Sequence, residues 1–310
     1  AAAMKVEELQ FDYSRLAPFE RRVMKRLVPF YCVPDDCEIL TREGWKKADA
    51  LTIGEDVLTM DHSTGESEWA PCEDKAIFDY NGVLMNMVNK RDHYTFTPDH
   101  RWPINRDTGT RAERHGEIRN IVRGYELRGG YRVPRTSEFT GTESICTPRE
   151  AAIIGWIVGD GYMRTRKRSP NHTEYLIYQS PKKFLRDIIE LVGEDGSVGN
   201  PHPDSGVVPI RIVGKFRKRI QELIRTKDEF PALVGRMSRE SAEACYQAMM
   251  DAEGCGCGAY AKTDRESNFF AQLPGPILDG FQMICQLTGR VAHISSRGAY
   301  VSHTFKTIKS

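Results

Sequence analysis

The sequence predicts an α+β fold, an all-β domain followed by a pseudo-twofold domain built from two αββαββ units. Three observations carry this expectation. From Cys32 to about Glu143 the chain breaks into short alternating strands and turns. From Cys146 a helix followed by paired strands recurs twice. The opening helices of the two units end alike, in small residues and an acid, about 93 residues apart.

Residues 4–31 read as one or two short helices. Pro18 suits a first helical position, and Phe19, Val23 and Leu27 recur at i, i+4 and i+8. Arg21, Arg22, Lys25 and Arg26 take the other face, which suits either solvent or nucleic acid. Ala1, Ala2 and Ala3 ahead of Met4 read as an expression remnant and are set aside. Residues 32–145 form the β domain. Glu38–Thr41, Val57–Met60, Val83–Met85 and Tyr94–Thr97 read as its strands, with turns at Gly44, Gly54, Asn81-Gly82 and Gly129-Gly130.

Residues 146–310 form the duplicated domain, with halves at about 146–230 and 231–310. In the first half, helix Pro148–Asp160 is followed by strands Tyr162–Arg168 and Tyr175–Gln179 and by helix Pro181–Val192. Strands near Ser197 and over Val207–Val213 follow, then helix Lys215–Arg225. The second half opens with a helix from about Ser238 to Glu253. Strands Ala259–Lys262 and Phe269–Gln272, helix Pro276–Thr288 and strands Val291–Ser295 and Tyr300–Lys306 complete it.

At 310 residues, 40% hydrophobic and 28% charged, the chain can bury real cores and is not disordered. It carries no apolar run of membrane-spanning length and no signal-peptide pattern, so no membrane partner is expected. Of eight cysteines only Cys255 and Cys257 lie close together, and no CxxC or paired-histidine set supports zinc. Reduced thiols and a cytoplasmic setting are therefore expected. The net charge of +1 hides an asymmetry. From Ile145 onward there are 23 Lys/Arg against 18 Asp/Glu, whereas the front has 21 against 25. A basic back half suits a polyanionic partner.

The chemistry is expected where the two opening helices end. The first closes on Gly155-Trp156-Ile157-Val158-Gly159-Asp160-Gly161, the second on Ala248-Met249-Met250-Asp251-Ala252-Glu253-Gly254. Gly155 with Gly159, and Ala248 with Ala252, place small residues four apart on one face, which lets two helix backbones approach closely. Gly161 and Gly254 suit left-handed caps. Helices crossed at these faces would set Asp160 beside Glu253. Two carboxylates at helix C-termini repel one another and oppose the helix dipole, so the pair calls for a cation, and oxygen ligands favour Mg²⁺.

With these residues in view, the segment from about Cys146 to Ser310 resembles the LAGLIDADG homing endonucleases in their single-chain, two-motif form. The resemblance implies a site-specific, metal-dependent endonuclease, monomeric, that makes double-strand breaks at a long DNA target. It implies Asp160 and Glu253 as catalytic metal ligands for Mg²⁺ or Mn²⁺, with Ca²⁺ as a non-cleaving substitute. It also implies a supporting lysine before the second motif, here Lys227 in Lys227-Asp228-Glu229-Phe230-Pro231, with Lys306 or Lys309 as its counterpart. The strands should form two saddle-shaped sheets over the major groove. Arg164, Arg166, Lys167, Arg168, Tyr178, Gln179, Arg211, Lys262, Arg265, Gln272, Arg297 and Tyr300 are the expected DNA contacts. Arginine and glutamine read guanine and adenine edges, while the other basic groups hold phosphate.

The β domain resembles the start of an intein (Hint) splicing domain, in Cys32-Val33-Pro34-Asp35-Asp36-Cys37 and in Thr97-Pro98-Asp99-His100. That likeness implies Cys32 as nucleophile on the Tyr31 carbonyl, His100 as proton donor, Thr97 as support and residues 4–31 as extein-like. The chain closes on Lys306-Thr307-Ile308-Lys309-Ser310 without the family's His-Asn pair, so splicing incompetence is expected. Two other functions fit the same features. One is a splicing or autocleaving module with a decayed nuclease, the other a non-cleaving DNA-binding protein. Both leave the two acids without a purpose.

Overall fold

The computed structural model describes residues 33–34, 36–61, 64–75, 77, 80–88, 93–106, 120–128, 131–166, 169–255, 269–302 and 305–307. Cys32, Lys167, Arg168, Lys262, Arg265 and the expected helices of 4–31 lie outside that set, as do the side chains of Arg166 and Lys306.

The N-terminal strands are β1 (Glu38–Thr41), β2 (Gly44–Lys47), β3 (Asp56–Met60), β4 (Glu66–Pro71), β5 (Met85–Val88) and β6 (His93–Phe96). They continue as β7 (Arg101–Arg106), β8 (Asn120–Arg123), β9 (Tyr131–Pro134) and β10 (Glu138–Phe139). One sheet has the order β10-β4-β3-β1-β2, with β10 parallel to β4. The expected strand Val83–Met85 is displaced to Met85–Val88, where it pairs with β6. Val83 is 73% exposed, so its apolar side chain does not mark a strand facing a core.

The back of the chain contains helices α1 (Pro148–Val158), α2 (Leu185–Val192), α3 (Gly214–Leu223), α4 (Phe230–Val234), α5 (Arg239–Glu253) and α6 (Pro276–Leu287). Its strands are β11 (Gly161–Arg166), β12 (Ser169–Gln179), β13 (Gly196–Val198) and β14 (Val208–Ile212), then β15 (Gly254–Cys255), β16 (Phe269–Phe270), β17 (Val291–Ser295) and β18 (Gly298–Ser302). The two sheets run β11-β12-β14-β13 and β15-β16-β18-β17, the same order twice. That identity of topology is the structural form of the internal repeat.

Helix α1 starts on a capping box. Thr147 accepts from the Glu150 N–H, and the Glu150 carboxylate accepts from the Thr147 N–H. Glu150 is nearly buried, and Arg219 of α3 neutralises it from 2.9 Å. Helix α5 starts at Ser238, whose hydroxyl accepts from the Ser241 N–H.

Four boundaries differ from expectation. Helix α1 ends at Val158, because residues 159–160 turn to deliver the chain into β11. Pro181–Phe184 form a turn ahead of α2, and the short α4 after Lys227 was not anticipated. The expected strand Tyr300–Lys306 is two strands: β18 stays in its own sheet, and β19 (Phe305–Thr307) crosses to pair antiparallel with β9. Gly161 and Gly254 also lack the left-handed conformation. They are glycines because a Cβ would lie 2.4 Å from the Ile157 oxygen and 2.1 Å from the Met250 oxygen, where each strand starts hard against the end of its helix.

Part of the front domain shares the core of the helices. Leu40 of β1 and Phe139 of β10 are buried in the same cluster as the helices. The β1–β2 hairpin seats against α4. Arg42 donates to the Gly235 carbonyl at 3.0 Å, and a Cβ on Gly235 would collide with the Arg42 backbone.

Candidate active site

The site forms where α1 crosses α5. A Cβ on Gly155 would lie 2.8 Å from the Cys245 carbonyl oxygen and 3.0 Å from the Ala248 Cβ. One on Gly159 would lie 2.8 Å from the Ala252 Cβ and 3.7 Å from the Glu253 Cγ. The four small residues expected at the interface, Gly155, Gly159, Ala248 and Ala252, are therefore the ones that meet. Backbone contact along this seam brings the acids at the two helix ends into mutual electrostatic range.

Both acids are half-buried, and both carboxyls are raised above their usual range. For Asp160 the main cause is burial, opposed by Lys183, by the Gln179 amide and by Lys227. For Glu253 burial comes first and the Asp160 charge adds to it, against Lys227 and Lys183. Lys227 donates to the carbonyl of Val158, the last residue of α1, at 2.9 Å and to that of Gly161, the first residue of β11, at 3.2 Å. Burial lowers its pKa, and the two acids oppose that shift.

Gln179 was expected on the DNA face. It instead lies on the buried side of β12, 4% exposed, with its amide 3.5 Å from the Asp160 carboxylate. The β11–β12 hairpin explains the difference. β11 leaves Asp160, and β12 returns antiparallel, so its last residue comes back to the acid. Lys183, one turn beyond, was not anticipated. The Gln179-x-x-x-Lys183 spacing at the end of a hairpin that starts on an acid is the signal that points to it.

Tyr162, Leu176, Arg211 and Ser197 stand in register across the first sheet. Tyr175, Ile177, Ile210 and Ile212 alternate with them and are fully buried. Arg164, Tyr178 and Arg211 are exposed on the outward face, together with Tyr162. In the second sheet Phe270 stacks on Phe281 of α6, so Phe269 and Tyr300, 4.6 Å apart between ring centres, face away from the helices. Arg297 is exposed in the β17–β18 turn, and Gln272 is partly exposed after β16. Lys306 pairs with Val133 in the N-terminal sheet, away from the strands of the repeat. In the β domain Thr97 is buried, and His100 packs against Phe96 and Trp102 at 5.8 and 5.0 Å.

Among the described residues no group of three or more His, Cys, Asp and Glu gathers. A cation at Asp160 and Glu253 would take two carboxylates and fill its other positions with water and substrate oxygen, a set that suits Mg²⁺. The raised pKa values give a test. The folded protein holds these protons more tightly than the unfolded chain does. The contribution of these two acids to metal-free stability should therefore fall as pH rises through the carboxylate range and be lowest above it. At neutral pH with a chelator, Asp160→Asn and Glu253→Gln should each melt at a higher temperature than the parent. Melts that leave both variants at or below the parent would contradict the strained pair.

No protein-family model and no curated protein matches the chain. Among solved structures it is similar to I-DmoI in complex with DNA and Ca, at 15% identity over 52% of this chain and 82% of that one, TM-score 0.33. It is also similar to mesophilic variants of the homing endonuclease I-DmoI, at 13% identity over 50% and 88%, TM-score 0.34. The homing endonuclease I-WcaI bound to its DNA recognition sequence matches at 12% identity over 51% and 76%, TM-score 0.31. Among the described residues no helix is long and apolar enough to cross a membrane.

Proposed function

We propose that this chain is a metal-dependent DNA endonuclease that cuts both strands of a long target. The observation that carries the reading is the acid pair. Two half-buried carboxylates, one from each half of a duplicated fold, meet at a seam of small residues with Lys183 and Lys227 acting on both.

Asp160 and Glu253 would hold the divalent cation, Mg²⁺ or Mn²⁺ for cleavage and Ca²⁺ for binding alone. When bound, the cation polarises the phosphodiester and lowers the pKa of water. Gln179 fixes the Asp160 carboxylate through its amide. Lys227, anchored on two carbonyls, presents positive charge where the phosphorane develops. The two halves offer one acid toward each strand, which suits double-strand breaks. The outward faces of the two sheets would lie on the duplex, with Arg164, Arg211 and Arg297 toward bases or phosphates and Tyr162, Tyr178 and Tyr300 against base edges.

Because the target is unidentified, a plasmid pool carrying randomised inserts supplies the test. With Mg²⁺ the protein should produce linear molecules whose ends share a sequence, and Asp160→Asn should produce none. Binding without any linear product would leave a DNA-binding protein instead.

A further inference from the structure

Lys227 lies at the head of a short strap of chain. A 3₁₀ turn over Lys227–Glu229 runs straight into α4, which spans only Phe230–Val234. A helix of this length closes too few hydrogen bonds to stand alone, so its position is set by what it packs against. At its start Phe230 is fully buried against α6, where a Cβ on Gly280 would collide with the Phe230 ring. At its far end the Gly235 N–H donates to the Pro231 carbonyl at 3.0 Å, and two distant segments close on the residues that follow.

One of these segments is the lead into α1. The Ile145 N–H donates to the Arg236 carbonyl at 3.0 Å. The other is the turn of the β1–β2 hairpin in the front domain. A Cβ on Gly44 would lie 3.5 Å from the Pro231 Cβ, so the turn rests on the start of α4 as well as on its end. Arg42 makes the bond at the end, donating through Nη1 to the Gly235 carbonyl across 193 positions of sequence. The same guanidinium is fixed on its own sheet first. Its Nε donates to the Asp56 carboxylate at 2.6 Å, and it lies over the Trp69 ring, 5.1 Å from the centre. Asp56 belongs to β3 and Trp69 to β4, so the front sheet aims Arg42 at the strap.

We propose that the β1–β2 hairpin sets the place of Lys227 beside Asp160 and Glu253, with Arg42 as the positioning residue that acts through α4. The consequence for cutting rests on the DNA endonuclease reading above. One turn of helix with a proline in it has no hinge of its own, so a displacement at Gly235 is carried to the lysine end. The front domain thereby contributes to the acid pair without touching it.

Arg42→Met keeps an apolar stem for Trp69 and loses both hydrogen bonds. In the full chain without DNA, amide-resolved hydrogen exchange should quicken by about tenfold or more across 227–237. The Glu229 and Phe230 amides, which donate to the Thr226 and Lys227 carbonyls, report the lysine end. Faster exchange confined to 233–237 overturns the inference and leaves the endonuclease reading intact. With Mg²⁺ and the plasmid pool of randomised inserts, Arg42→Met should form linear product roughly 10- to 100-fold more slowly. Its affinity for the same DNA in Ca²⁺ should stay within about twofold of the parent. On a Lys227→Met background it should cost nothing further. An equal loss on both backgrounds, or parent-like cutting by Arg42→Met, also overturns the inference alone. If the exchange result holds and the parent cuts no plasmid, the endonuclease reading falls and the hold on Lys227 stands. Should Arg42→Met fail to fold, Asp56→Asn, which frees the guanidinium on its own sheet, is read by the same outcomes.

Discussion

Changing Asp160→Asn or Glu253→Gln should reduce cleavage by at least about 10³-fold while leaving DNA affinity in Ca²⁺ within a few-fold of the parent. The acids lie at the end of the α1–α5 seam, half-buried, while Tyr162, Arg164, Tyr178 and Arg211, expected to grip DNA, lie on the outward face of the first sheet. Removing one negative charge therefore takes away a metal ligand and leaves the grip in place. The two variants should also differ in character. Asp160 belongs to the first half and Glu253 to the second, so each variant should slow both strands through the shared cation site but slow the strand facing its own half more, and nicked plasmid should accumulate. Parent-like cleavage by both single variants would remove these residues from the reaction.

The second large effect concerns the seam itself. Gly155→Leu or Gly159→Leu should destabilise the fold by about 3 kcal/mol or more, lowering the melting temperature by about 6–12 °C. At Gly155 the obstacle is a backbone oxygen, that of Cys245, which cannot rotate out of the way. At Gly159 it is the Ala252 Cβ, and a displaced helix there would also move Glu253. The Gly159 variant should consequently lose cleavage even at temperatures where it remains folded. Unchanged melting in both variants would mean that the helices do not touch at these residues.

Much of this seam was legible in the sequence. Small residues four apart on two helices, each followed by an acid and a glycine, specify close backbone contact and the meeting of the two acids without reference to any other part of the chain. The helix starts were legible for a related reason, since Pro148 and Ser238 are local signals. What escaped was set by pairing between distant segments. Gln179 looked like a strand residue available to DNA, but the hairpin returns it to Asp160 on the buried face. Lys183 sits in a turn that the helical pattern of 181–192 concealed. The glycines after the acids looked like left-handed caps, whereas the start of each strand hard against the end of its helix demands them for lack of room. The crossing of β19 to β9 joins residues more than 170 positions apart, and no local pattern near Phe305 announces it.

The central claim is that Asp160 and Glu253 together hold a divalent cation. Crystals of the full chain soaked in Mn²⁺, with anomalous scattering recorded at the manganese edge, test it most directly. The account predicts a peak within ligand distance of both carboxylates that disappears in the Asp160→Asn, Glu253→Gln double variant. A well-ordered acid pair with no manganese beside it, or manganese bound only elsewhere, would contradict it.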